Sequence, residues 1–251
     1  MAVFKGCELL LNQRPAPGVI AVWTWLAWVR PYNHVYARRG VGAPYPPGTC
    51  ARKLALGVPL VALGVPLVIV SFQADLGRYG FWVDHLAKFC AFYLALSGLE
   101  RLLTAGWNLA GIPARPLLDD PILAYSPAAF WQRWNHPVNQ LFAAILFRRW
   151  ARRAPVAALL LCFVASGVLH EYIAAIASWH LRGYQLAFFL LHGLAAAATW
   201  RWRPRGPAAR AAGRVGTVAF GLLTSPLFFA SLVPVFADLG PLYPHGALLP
   251  P

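Results

Sequence analysis

The chain has 251 residues, of which 59% are hydrophobic and only 12% charged. A soluble domain carries about a quarter charged residues, so the balance excludes an ordinary soluble enzyme and points to an integral membrane protein. The formal net charge is +14, but the arginines lie between apolar runs. Membrane topology and lipid headgroups account for them there, and nucleic acid is not needed as a partner.

Six apolar stretches follow one another along the chain, at residues 18–29, 54–72, 86–105, 155–179, 184–200 and 215–236. The first is followed by Arg30, Pro31 and Tyr32 rather than by the small residues of a cleavage site, so it reads as a short span. The first and fifth are short enough to be partly re-entrant. In the second, Leu56–Ala62 is repeated at once by Leu63–Ile69, as LGVPLVA and LGVPLVI. Seven residues are nearly two helical turns, so Gly57 and Gly64 share a face, as do Pro59 and Pro66. Small residues on one face predict close helix contact in lipid, and prolines are tolerated there with a kink.

Positive residues set the orientation. Arg30, Arg38, Arg39, Arg52 and Lys53 fall before the second stretch. Arg115, Arg133, Arg148, Arg149, Arg152 and Arg153 fall between the third and fourth, and Arg201, Arg203, Arg205, Arg210 and Arg214 between the fifth and sixth. The intervening connections carry only Arg78 and Arg182. Positive connections stay in the cytoplasm, so these three face inward. The expected architecture is a single all-α integral membrane domain over residues 1–251. It is a bundle of about six transmembrane helices with an interfacial or re-entrant helix in the long cytoplasmic loop.

That loop, residues 106–154, is too long for a simple turn, and long ordered loops are usually functional. It holds Trp107, Trp131, Trp134 and Trp150. Ser126-Pro127 reads as a helix cap followed by proline at the first helical position. Phe130, Trp134, Val138, Leu141 and Ile145 recur at helical spacing, which predicts one amphipathic helix over residues 128–147. An interfacial anchor explains its tryptophans and arginines, but not why Gln132, Asn135, His136 and Asn139 interrupt it. The basic run Arg148, Arg149, Arg152, Arg153 reads as a positive-inside anchor and, compatibly, as a dock for the phosphates of an anionic cosubstrate.

The fourth stretch places His170 and Glu171 inside an apolar run of spanning length. An ionisable residue there is a functional hypothesis by default, although a histidine bonded to a neighbouring helix explains it as well. His180 and His192 read as structural, since nothing polar clusters around them along the chain. No two histidines have the close spacing of a membrane di-iron oxidase, and no G-x-S-x-G elbow or phosphate loop occurs. Cys7, Cys50, Cys90 and Cys162 form no C-x-x-C, which leaves no disulfide framework and no metal site to expect.

Three runs then carry a resemblance. Leu118–Ser126 (LDDPILAYS), Phe130-Trp131-Gln132-Arg133-Trp134-Asn135 and Ser166-Gly167-Val168-Leu169-His170-Glu171 resemble the membrane-bound O-acyltransferase family, most of all its wax-synthase-like branch. In that family a Phe-Trp motif ending in Asn or His precedes a Ser-Gly-x-x-His-Glu motif by a few tens of residues. The match spans residues 117–171. It implies transfer of an acyl group from a thioester, usually acyl-CoA, to a hydroxyl, such as that of a long-chain alcohol or another lipid or small alcohol. By resemblance His170 and Asn135 are the catalytic pair lining a membrane tunnel. Trp131, Arg133, Trp134, Glu171, Arg148 and Arg149 are the expected substrate contacts. A neutral imidazole is a base for the hydroxyl, and Asn135 a donor to the oxyanion or an orienting group. Coenzyme A is a good leaving group, so the chemistry needs no cofactor or metal. Two rival readings stand beside this one: a small transporter with His170 and Glu171 as a proton relay, and an accessory protein that binds lipid without turnover.

Overall fold

The structure, a computed structural model, describes residues 43–237 apart from Ile112 and Arg115. The expected span at residues 18–29 lies outside the described residues, and so do Cys7, Arg30, Arg38 and Arg39. Among the described residues the chain is helical and has no strand.

Helix α1, Pro47–Gln73, opens on a proline, whose missing N–H is no loss at a helix start, and runs on through Pro59 and Pro66. A 3-10 turn at Leu76–Tyr79 and Gly80, at φ 124°, reverse the chain into α2, Phe81–Leu109. Only glycine takes that backbone conformation readily. The repeat does what its spacing predicts. A Cβ on Gly64 would lie 2.4 Å from the Ala95 nitrogen, one on Gly57 3.1 Å from the Gly98 carbonyl oxygen, and one on Gly98 2.7 Å from the Val61 nitrogen. The two backbones therefore touch along this seam, which only small residues permit.

Charges on this hairpin are satisfied locally. Lys53 lies 3.6 Å from the buried Glu100, which also accepts from the Thr104 hydroxyl at 2.8 Å. Arg101 donates to the Ser97 carbonyl and to Asp120, and Lys88 pairs with Asp84.

Helices α3 (Pro127–Arg133) and α4 (His136–Phe142) occupy the long loop. Helix α4 runs on through a π-helical turn, Ala143–Phe147, into a last turn at Arg148–Trp150. The single amphipathic helix expected over residues 128–147 is thus corrected to two, broken at Trp134-Asn135. Trp134 is extended and Asn135 has φ 46°. Pro137 lacks the N–H needed to bond back into α3, and asparagine is among the few residues that take a left-handed backbone cheaply.

Helix α5, Pro155–Ser178, turns through Trp179 and Gly183, both left-handed, into α6, Tyr184–Thr199. Small residues again set the approach. A Cβ on Gly167 would meet Leu186 and Phe189 of α6 at 3.0 and 3.1 Å, and one on Gly193 would meet Phe163 of α5 at 2.8 Å. Helix α7, Pro207–Ala230, starts upstream of the apolar stretch expected at 215–236, because Gly206 and Pro207 form its natural start. The stretch then ends in a separate short helix, α8, Val233–Ala237.

Among the described residues three helices, α1, α5 and α7, are long and apolar enough to cross a membrane, and α6 is a shorter apolar helix. They mark the chain as a helical membrane protein. Helix α2 carries Lys88, Glu100 and Arg101 and stands outside that set although it holds the third apolar stretch. Val168, Tyr172, Ile173 and Ile176 of α5 and Leu56, Val58, Leu63 and Val70 of α1 are exposed. Apolar faces of this extent suit lipid contact, not water. Two clusters form the interior. Val68, Phe72, Ala91, Ala95 and Phe229 join α1, α2 and α7, while Ala128, Phe163, Phe189 and Ala196 join α3, α5 and α6.

Candidate active site

The site is built where α3, α5 and α6 meet. Ser126 caps α3 as its sequence predicts, its hydroxyl accepting from the Ala129 N–H at 3.1 Å, with Pro127 next. Where α3 ends, the polar residues that an anchor leaves unexplained find their use. The Asn139 carboxamide donates to the carbonyls of Trp131 and Trp134, which the break leaves without helical partners. The Arg133 carbonyl accepts from the Asp119 N–H and the Leu117 carbonyl from the His136 N–H, at 2.9 and 3.0 Å. The Leu117–Asp119 loop is thereby laced across the break, and the Asn135 carboxamide engages no hydrogen bond among the described residues.

His170 sits on α5 with its Nδ1 2.8 Å from the Ser166 carbonyl oxygen. A carbonyl only accepts, so Nδ1 carries the proton and Nε2 keeps a free lone pair. The ring packs on Phe189, centroids 4.4 Å apart. Gly167 makes this possible by letting Leu186 and the Phe189 side chain approach α5.

Two cavities meet at this point. One, about 160 Å³, is walled mostly by rings, among them Phe89, Phe92, Phe188, Phe220 and Phe228. The other, about 510 Å³, is lined by Gln132, Asn135, His136, Asn139, Ser166 and Trp200 among others. Trp131, Trp134, His170 and Phe189 line both and form their shared wall. An apolar chamber and a more polar one thus face each other across an imidazole.

The residues singled out in the sequence divide on this geometry. His170 on α5 and Asn135 in the break between α3 and α4 line the same, more polar cavity, and Trp131 and Trp134 stand beside them. Arg133 lines neither cavity; its guanidinium donates to the Asp119 carbonyl at 3.3 Å and so holds the loop. Arg148 and Arg149 are exposed on the turn following Phe147, outside both cavities. Glu171 lines neither cavity. Its carboxylate is buried, 5% exposed, and faces the α5–α6 turn, where it accepts from the N–H groups of Arg182, Gly183, Gln185 and Leu186. A negative group at the start of α6 satisfies donors that the helix cannot and opposes the helix dipole. One residue is about 100° of helix, so His170 and its neighbour point different ways.

His192 is the residue the sequence reading undervalued. It has polar company on both nitrogens: the Trp131 indole N–H at 3.0 Å and the Thr224 hydroxyl at 2.8 Å. The rule that flags His170, an ionisable group inside an apolar helix, flags it too. Its partners stand far off along the chain, so their convergence was not legible there.

Residues 114–191 match the family described as Membrane bound O-acyl transferase family, a stretch that contains α3, α4, α5 and the first half of α6. Over that stretch the chain is similar to this family, and both cavities draw walls from it. No curated protein matches the chain.

Proposed function

We propose that this protein is a membrane-bound O-acyltransferase that moves an acyl group from acyl-CoA to a hydroxyl-bearing acceptor. The observation that carries the reading is His170, whose free Nε2 stands on the wall shared by an aromatic chamber and a polar one. Such a wall suits a reaction whose substrates differ in polarity and whose bond is made between them.

In the proposed step the acceptor O–H gives its proton to His170 Nε2 as the oxygen attacks the thioester carbonyl carbon. Negative charge gathers on the carbonyl oxygen, and the Asn135 carboxamide is the donor that meets it. The C–S bond then breaks, the ester is released, and the thiolate of coenzyme A recovers the proton from the imidazolium. The aromatic chamber takes the carbons next to the acyl carbonyl. Walls of this kind keep water from competing with the alcohol.

Two finer readings belong to the same proposal. The wax-synthase-like motifs favour a long-chain alcohol or a related lipid as acceptor. Multi-span topology finds support in α2. It packs against α1 along the glycine seam and returns the chain, so it crosses wherever α1 crosses. Tyr79, Phe81 and Trp82 at one turn, and Trp179 and Leu181 at another, are exposed rings and apolar side chains suited to a headgroup layer. By the positive-inside rule the arginine-rich connections, with Arg148, Arg149, Arg152 and Arg153 beside the motif loop, favour a cytoplasmic side for it.

The deciding experiment is ester formation by the reconstituted chain with labelled acetyl-CoA and palmitoyl-CoA and a panel of alcohols, run beside His170→Ala. Ester that vanishes in the folded variant supports the reaction class and the base together. Ester that survives removes His170 from the mechanism. No ester from a folded protein with any pair moves the weight to transport or lipid binding without turnover.

A further inference from the structure

Trp131 is fastened at both ends. Its carbonyl accepts from the Asn139 carboxamide, and its indole N–H donates to His192 Nδ1 at 3.0 Å. An indole N–H only donates, so Nδ1 is the bare nitrogen of His192 and Nε2 carries the proton. Nε2 then donates to the Thr224 hydroxyl at 2.8 Å, and that hydroxyl donates to the Phe220 carbonyl at 2.8 Å. Every N–H and O–H donor in this relay is used, and it ends on the backbone carbonyls of Phe220 and Gly221 in α7.

His192 is 4% exposed and packs among Phe188, Phe220 and the Trp131 ring, with centroids 4.1, 4.8 and 5.4 Å away. A phenylalanine fits such surroundings by shape, and a buried polar ring costs stability unless its bonds are made. What the bonds fix is the orientation of the Trp131 indole. That indole is one of the four side chains shared by the two cavities, and the acyl-transfer step makes no other use of His192.

We propose that His192 is a positioning residue that locks Trp131 as the partition between the two cavities, and that this partition keeps water from the thioester carbonyl. The inference rests on the acyl-transfer reading. When the indole is released it can rotate, the cavities join, and water takes the alcohol's place. A water O–H then gives its proton to His170 Nε2, its oxygen adds to the acyl carbon, and the C–S bond breaks. The products are free acid and the thiol of coenzyme A.

The test measures ester and free acid together, from one acyl-CoA and one alcohol, for the reconstituted chain and its His192→Phe, His192→Gln and Thr224→Val variants. His192→Phe is expected to raise the acid-to-ester ratio by about five- to tenfold, the equivalent of one net hydrogen bond. Thr224→Val raises it less. His192→Gln, whose amide offers both an acceptor and a donor, returns it toward the wild-type value. Equal losses of ester and acid at an unchanged ratio would overturn the proposal, because a merely structural defect lowers both alike. A second readout does not depend on turnover. The indole N–H resonance of Trp131, assigned by its loss in Trp131→Phe, moves upfield in His192→Phe. An unmoved resonance overturns the proposal even where esters form. A chain that makes no ester defeats the acyl-transfer reading, while the resonance still decides whether His192 holds Trp131.

Discussion

The α1–α2 hairpin and the α3–α5–α6 junction are both helix packings made from glycine and aromatic residues, yet one is closed and the other hollow. In the hairpin, small residues on both helices face each other: Gly57 and Gly64 meet Ala95 and Gly98, and backbone rests on backbone. At the junction each glycine faces a large side chain, Gly167 against Leu186 and Phe189 and Gly193 against Phe163. Rings of fixed shape that bridge helices cannot fill all the space between them, and the remainder is the pair of cavities. The polar groups follow the same division. Glu100 and Asp84 of the hairpin are paired with Lys53 and Lys88, whereas His170 keeps one nitrogen open and the Asn135 carboxamide is unengaged among the described residues. Small facing small gives adhesion. Small facing large gives a chamber, and function needs the latter.

Breaking the junction affects chemistry first. His170→Ala is expected to lower ester formation by about 10²- to 10⁴-fold, the usual weight of a general base, with the unfolding midpoint in detergent little changed. Asn135→Gly is the cleaner probe of the donor, because glycine accepts the left-handed backbone that asparagine holds there at φ 46°. It is expected to reduce kcat by about 10²- to 10³-fold, with less effect on KM. A drop confined to KM would reassign Asn135 to binding.

Breaking the hairpin affects stability instead. Gly64→Leu forces a side chain against the Ala95 backbone and is expected to cost about 1–3 kcal/mol, or more if the helices separate, with kcat per folded molecule preserved. Glu171→Gln tests a residue that sits beside His170, the proposed base, in sequence but belongs to the turn. It weakens the capping of four N–H groups and is expected to cost about 1–3 kcal/mol in thermal unfolding. Its activity per folded molecule stays near wild type, and a large fall in kcat would return Glu171 to the site. The smallest effect is expected from Arg148→Gln with Arg149→Gln, a modest rise in KM for the thioester that fades at high salt.

Much of the fold was legible because its signals are local. The apolar runs at 54–72 and 155–179, a serine before a proline, and a doubled LGVPLV repeat each act through neighbouring residues, and each appears where its pattern puts it. The division of the 128–147 helix was less legible. Its apolar spacing continues across Trp134-Asn135, and the break becomes sensible only once Asn139 and the Leu117–Asp119 loop are seen to satisfy it.

By itself the sequence determined that this is a membrane protein, that the apolar runs among the described residues become helices, and that His170 and Asn135 are residues to compare. Period, length and composition act over one or two turns, and a single chain displays them openly. Only the tertiary structure decided that these two side chains line one cavity, that Glu171 turns away to cap α6, and that His192 meets Trp131 across 61 residues of sequence. Those outcomes depend on which face of each helix meets its neighbour. That is settled by the summed packing of the interface, and no local pattern encodes it.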